Sequence, residues 1–418
     1  PIRRSGVQPG ELTVMARFWF ISAPLHGHLD WGGFLLTAQA LQQRGHTVIW
    51  VSEASIQNAV TPAGVPFAPV RRTGWLWPPP PPPDLSAIPP QQAVMLRYRR
   101  ALDTWLSEDW VAEGVAALLD LAQAAGPPDV IAADPFLSAA ALAAEALAVP
   151  LAVCGWPAMK ALNDEFLFPV QKALAADSQE RISRLCRRFG LTGVNFAQGP
   201  TPSVLSPRLH ISYFNAYWYQ ADGDNLLPQT RFVGGSPRRP GAAAPDWLAA
   251  IPAAAPLALI TLGSVFTGDL GFFSWAAQAA ARAGCLPVVA IGRNPITPEA
   301  KAQLKAALPP ATRLLNWVPF DHVLPRTRLI IHHGGMGTTH AAVIHGIPQI
   351  AVPHAADQRS NARRIAQAKV GLNLSAHDVQ RGALLEGARA LSADDRVRAN
   401  AQRLAADFAA LGGADQAA

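Results

Sequence analysis

Cysteine is nearly absent: Cys154, Cys186 and Cys285 are the three thiols among 418 residues, too few and too widely spaced for a disulfide scaffold or a thiolate zinc cluster. That scarcity fits a reducing compartment, and the cytoplasm is the expected location. Charged residues are only 15% of the chain, and the net charge of +6 is carried by scattered arginines and short pairs such as Arg71-Arg72 and Arg363-Arg364. No basic run is long enough to follow a nucleic-acid backbone, so nucleic acid is not an expected partner. An uninterrupted apolar span is missing too. The most apolar stretch, 136–158, is broken by Glu145, Pro150 and Pro157, which argues for a buried helix running into a strand and against a membrane span.

What is present is core material. Half of the residues are apolar, and the length suits two domains that each bury an interior. Residues 1–14 lack the apolar centre of a secretory signal and are read as an extension or cloning remnant before Met15. From there the pattern is strand (16–22), loop (23–29), helix (33–44) and strand (46–52), with apolar strands that do not alternate. This predicts a parallel sheet with crossover helices. A helical region over 91–125, a strand over 129–133 and another over 151–154 continue it. A second strand and helix series starts at Leu257, after a Pro/Gly-rich interval without periodicity. The predicted organisation is α/β, with two doubly wound domains: residues 15–230, a linker over 231–256, residues 257–394, and a C-terminal helix over 395–418 suited to packing on either lobe. Proline is abundant, and six in a row at Pro78–Pro83, beside Trp75 and Trp77, predict a stiff polyproline loop, either a surface connection or a wall for an apolar ligand.

Residues 317–361 carry the strongest signal. A strand over 329–331 leads into His333-Gly334-Gly335-Met336-Gly337-Thr338-Thr339, then an alanine-rich helix and a second apolar strand ending in Asp357-Gln358. A glycine-rich turn at a helix N-terminus aims backbone N–H groups and the helix dipole at a ligand, which suits phosphate. No Gly-Lys-Ser/Thr follows, so this is not a Walker A loop, and the third glycine of a dinucleotide fingerprint is missing. Five histidines between His332 and His354 invite a metal, but adjacent strand residues point to opposite faces and no carboxylate or thiolate stands at ligand spacing. No metal and no resident cofactor are expected.

Trp317, His333, the 334–339 loop and Asp357-Gln358, with Gly27-His28 after the first strand and Gly45-His46 after the first helix, resemble the family 1 nucleotide-sugar-dependent glycosyltransferases. The resemblance implies the GT-B fold, two facing Rossmann-like domains with a cleft between them. It also implies inverting, metal-independent transfer of a hexose, glucose first, from a nucleoside diphosphate sugar, a UDP-sugar ahead of a dTDP-sugar, to a hydroxyl. Carried across by position, Trp317 stacks on the base and Val318 reads its edge. His333, Gly335, Gly337 and Thr338 cradle the diphosphate with Gly263 and Ser264, and Asp357 and Gln358 bind sugar hydroxyls. His28 matches the general base, Asp134 its partner carboxylate. Two departures stand out: Ala341 replaces a glutamate that grips the ribose diol in many plant members, and Leu29-Asp30-Trp31-Gly32 follows His28 in place of a proline-ended run.

The same residues have plainer readings: a core tryptophan at 317, an ordinary turn at Gly263, helix caps at Asp134 and Asp357. Trp75, Trp77 and Trp156 point to a small apolar hydroxylated acceptor of the polyketide, terpenoid, carotenoid, sterol or phenolic kind. The expected protein is a monomer or homodimer. The competing readings are a nucleotide-sugar epimerase or isomerase and a non-catalytic nucleotide-sugar-binding protein.

Overall fold

The computed structural model describes the chain outside residues 1–14, 30–31, 81–87, 161–168, 198–202, 239, 242, 264–269, 293–295 and 355–356. The described strands form two parallel sheets. In the first, β1 (Arg17–Ile21), β2 (Thr47–Ser52), β3 (Phe67–Pro69), β4 (Val130–Ala133), β5 (Leu151–Cys154), β6 (Leu209–Ser212) and β7 (Thr230–Phe232) lie in the order β3-β2-β1-β4-β5-β6-β7. In the second, β8 (Leu257–Thr261), β9 (Leu286–Ala290), β10 (Arg313–Leu315), β11 (Thr327–His332), β12 (Gln349–Ala351) and β13 (Gly371–Asn373) lie in the order β10-β9-β8-β11-β12-β13. Apolar runs such as β8, buried at every position, need cover on both faces, and crossover helices supply it.

Both sheets therefore reverse their direction of growth once, between β1 and β4 and between β8 and β11. Ligands of such sheets sit beyond the strand ends at that reversal. The HGH turn (His26–His28) follows β1 and Asp134 follows β4, while Gly263 follows β8 and His333 follows β11. Among the described residues, no helix is long and apolar enough to cross a membrane.

Several elements differ from the sequence reading. The helical region over 91–125 is two helices, Pro90–Leu106 and Glu108–Ala125, divided where Ser107 turns extended. The Pro/Gly-rich interval holds an edge strand, β7, which pairs with β6, and a one-turn helix at Asp246–Ala249. Three residues are too short to display a period. β12 stops at Ala351, so Asp357-Gln358 do not end a strand but open the helix Asp357–Gln367.

One apolar cluster runs through both lobes. Tyr213, Phe214, Trp218 and Tyr219, beyond β6, share it with Met336, Val343, Ile365 and Phe408 from the second half. Within it the His340 Nε2–H donates to the Tyr213 carbonyl at 2.9 Å, and the ring lies so close to Gly32 that a Cβ there would stand 2.9 Å from it. Beside it, Arg364 donates twice to Asp222, at 2.8 and 3.0 Å, and lies 4.4 Å over the Tyr219 ring, while Arg363 reaches the other carboxylate oxygen at 3.2 Å. The helix Asp395–Ala409 brings Phe408 into the seam, and Gly413–Ala417 lies against Phe34–Gln43 of the first domain. Removing one partner of a buried pair leaves the other charge uncompensated, which costs about 3 kcal/mol. Asp222→Ala is thus expected to lower the denaturant-unfolding free energy by about that amount, more than Arg363→Ala on the exposed side.

Candidate functional site

The β11–helix junction is built around one imidazole. His333 is buried, and its ring sits between Gly263 and Gly335: a Cβ on Gly263 would lie 2.8 Å from Cε1, and one on Gly335 would collide with Nε2. Gly334 takes φ +85°, and a side chain there would meet the Gln358 carbonyl at 2.8 Å. Three glycines of the loop region are thus demanded by packing. Gly337 is not, since a Cβ there meets nothing within 4 Å, and its face remains open to a ligand.

The helix Met336–Ile344 starts at Gly335, which has no side chain to cap it, so the first-turn N–H groups are available to another acceptor, with the half-positive end of the dipole behind them. Burial, with His354 nearby and the Thr261 carbonyl opposing in part, pushes the His333 pKa down to about 4. The ring is therefore neutral near pH 7 and offers a hydrogen bond, not a charge. Its Nδ1 is buried without a partner of hydrogen-bond geometry.

His332 faces the other way. Its Nδ1 accepts the Gly334 N–H at 3.1 Å, which fixes the remaining proton on Nε2, directed at Gln349 Oε1 3.1 Å away. Burial, then the adjacent His333, push its pKa to about 3, with Gln349 opposing. Thr338, also buried, lies one turn along, and Trp317 is 73% exposed beyond the end of β10. That exposure excludes the buried-core reading of Trp317, while Val318 beside it is buried. Gln358 Oε1 accepts the His354 N–H at 2.9 Å, and Asp357 Oδ2 accepts from Asn361 Nδ2 at 3.2 Å.

In the first domain Asp134 is fully buried. Its Oδ2 accepts the Ala23 N–H at 3.0 Å and Oδ1 the Phe136 N–H at 2.9 Å, so the carboxylate ties the loop after β1 to the turn after β4. It does not cap a helix, because the next one begins only at Ser138. The HGH turn is a single 3-10 turn with Leu29 N–H returning to the His26 carbonyl. The side chain of His28, together with Asp30, Trp31 and Ser264, lies outside the described residues.

Trp75 and Trp156 are brought together by a residue that sequence reasoning missed. The Phe136 ring stands 6.1 Å from Trp75 and 4.8 Å from Trp156, both edge to face, and forms a continuous aromatic row next to Asp134. Nothing marked Phe136 except its place two residues after the aspartate. Trp77 packs half-buried against the cluster under the helix Glu108–Ala125. Gly32, four positions after His28, abuts His340 of the helix that starts at the glycine loop, so the two halves open on one cleft. Among the described residues, no group of three or more His, Cys, Asp or Glu is placed to hold a metal ion.

Two facing Rossmann-like domains, with a glycine-rich loop at one reversal point and a carboxylate-backed loop at the other, have the GT-B architecture. Residues 295–413 match the family described as "Erythromycin biosynthesis protein CIII-like, C-terminal domain", and the two sheets share the GT-B fold of solved glycosyltransferases. It is 34% identical over 190 residues to the L-demethylnoviosyl transferase of Streptomyces niveus, a match covering 44% of this chain and 47% of that one. It is 26% identical over 411 residues to the erythronolide mycarosyltransferase of Saccharopolyspora erythraea, covering 89% and 90%. The solved spinosyn rhamnosyltransferase complexed with thymidine diphosphate superposes with a TM-score of 0.66 at 24% identity, covering 96% of this chain and 98% of that one. The chain spans less than half the length of the first curated relatives it matches.

His332, His333 and His210 all titrate far below the ordinary 6.5, at about 3, about 4 and about 4, chiefly because they are buried. The unfolded chain then binds more protons than the fold between those values and 6.5. Their stabilisation is fully present above about pH 6.5 and is lost as the pH falls toward 4 and below. Stability measured by denaturant should accordingly decline from pH 6.5 to 4, and His332→Gln should reduce that slope by about one proton.

Proposed function

We propose that the chain transfers a hexose, with inversion, from a nucleoside diphosphate sugar to a hydroxyl of a small apolar acceptor, without a metal. The observation that carries this reading is the convergence on one cleft of the loop after β1, backed by Asp134, and the amide-rich loop after β11. The acceptor oxygen attacks the anomeric carbon as the bond to the leaving diphosphate breaks. His28 takes the acceptor proton, with Asp134 orienting it, and an alcohol that is almost wholly protonated at neutral pH needs such a base. The charge growing on the leaving nucleotide falls to the first-turn amides, the neutral His333 and Thr338, donors already in place before reaction. Trp317 stacks on the base beside Val318, Gly263 and Ser264 meet the phosphates, Asp357 and Gln358 bind the sugar hydroxyls, and Trp75, Phe136, Trp77 and Trp156 line the acceptor side.

For the donor, the reading favours thymidine diphosphate over the uridine expected from sequence. Ala341 offers no carboxylate for a ribose diol, and a 2′-deoxyribose has no diol to grip. The relatives named above point the same way: one was crystallised with thymidine diphosphate, and two are named for mycarosyl and L-demethylnoviosyl transfer. A deoxyhexose is therefore preferred to glucose.

A thermal-shift series with dTDP, UDP and their sugars is expected to raise the melting temperature most with the thymidine compounds, by mass action; a larger shift with UDP would reverse the donor assignment. Base stacking on an aromatic ring is worth about 1–3 kcal/mol. Trp317→Ala, on an exposed side chain, should weaken nucleotide binding roughly tenfold or more by calorimetry while leaving the melting temperature of the free protein unchanged. Full turnover by His28→Ala, read as glycosylated acceptor by mass spectrometry, would remove the proposed base.

A further inference from the structure

Behind the glycine loop lies a continuous hydrogen-bonded chain that leaves no freedom of direction. The Gly334 N–H donates to His332 Nδ1, so His332 Nε2 carries the proton and donates to Gln349 Oε1. On the other side of the same residue, the Gly334 carbonyl accepts from Asn361 Nδ2 at 2.9 Å, and that amide also donates to Asp357 Oδ2 at 3.2 Å. A carbonyl and a carboxylate both require a donor, which fixes the amide orientation of Asn361 and turns its Oδ1 inward, buried and unpartnered. Asn361 is 1% exposed and cannot itself touch a ligand in the cleft.

We infer that Asn361 is a positioning residue that locks the spacing between the phosphate loop, through Gly334, and the Asp357 carboxylate, so that the donor's diphosphate and its sugar are held in one fixed register. This rests on the transferase reading of Asp357 and the loop. Gly334 is held from both sides, by His332 at its N–H and by Asn361 at its carbonyl. Because Asn361 lies one helical turn after Asp357 on the same helix, its bond to the Gly334 carbonyl sets where that helix, and Asp357 with it, stands against the loop. The consequence is selective: loss of Asn361 should disturb recognition of the sugar relative to the phosphates more than it disturbs the nucleotide alone.

The test uses the full chain with Asn361→Asp, which keeps the size but removes the donor, and Asn361→Ser as a second, smaller variant should the first fail to fold. Hydrogen–deuterium exchange of residues 334–339, without ligand, is expected to quicken at least tenfold while the sheet amides of β8 and β11 keep their protection. With donor sugar, kcat/KM should fall on the order of a hundredfold and the affinity for the bare nucleoside diphosphate by less than tenfold. In the Asp357→Ala background, the Asn361 substitution should add less than a threefold further loss, because its action runs through Asp357. Unchanged exchange, equal losses for nucleotide and nucleotide sugar, or additive losses in the double variant would each overturn the inference. Absence of any sugar transfer by the unsubstituted protein would overturn the transferase reading instead, and the ligand-free exchange comparison would still decide whether Asn361 straps the loop.

Discussion

The contact between the two lobes is the constraint on which everything else rests. Each sheet by itself would present a loop cluster to water. They make a site because an apolar seam, with His340 pressed against Gly32 and donating to the Tyr213 carbonyl, sets one cluster opposite the other. Apolar burial supplies the attraction, and the directional terms supply the register: a misplaced His340 would lose its acceptor, and a displaced Arg364 would lose both Asp222 and the Tyr219 face. The helix that carries Arg364 also carries Asp357 and Gln358, so one rigid element serves the seam on one face and the cleft on another.

Inside the second lobe the chemistry follows from close approach. Glycine at 263 and 335 lets a buried imidazole lie against two backbones, and burial in turn keeps that imidazole uncharged. On the transferase reading, a neutral donor among amide dipoles suits a charge that appears only as a diphosphate departs, since nothing must reorganise at that moment. His332, the last residue of β11, is tied beneath the loop by the Gly334 N–H and Gln349, whereas His333, just past the strand, lies between Gly263 and Gly335.

The first lobe is organised around the Asp134 carboxylate. Asp134 spends both oxygens on backbone N–H groups from two turns, which holds the HGH loop at a set height above the sheet. The row of Trp75, Phe136 and Trp156, packed edge to face, adds apolar surface beside that carboxylate.

Much of this was legible in the residues alone, because the signals concerned are local. Non-alternating apolar strands, glycines before an alanine-rich helix, and the spacing from Trp317 through His333 to Asp357 depend on neighbours in sequence, so the two parallel lobes and the glycine turn at a helix start could be read there. Only the tertiary structure decided the rest. β7 is too short to carry a period and exists because β6 offers it an edge. The exposure of Trp317, the place of Phe136 between Trp75 and Trp156, and the linkage of Gly334 to Asp357 through Asn361 all arise from groups that meet after folding. Physically, backbone propensity and apolar patterning act over a few residues, whereas a side chain's partners are set by which elements the core brings into contact.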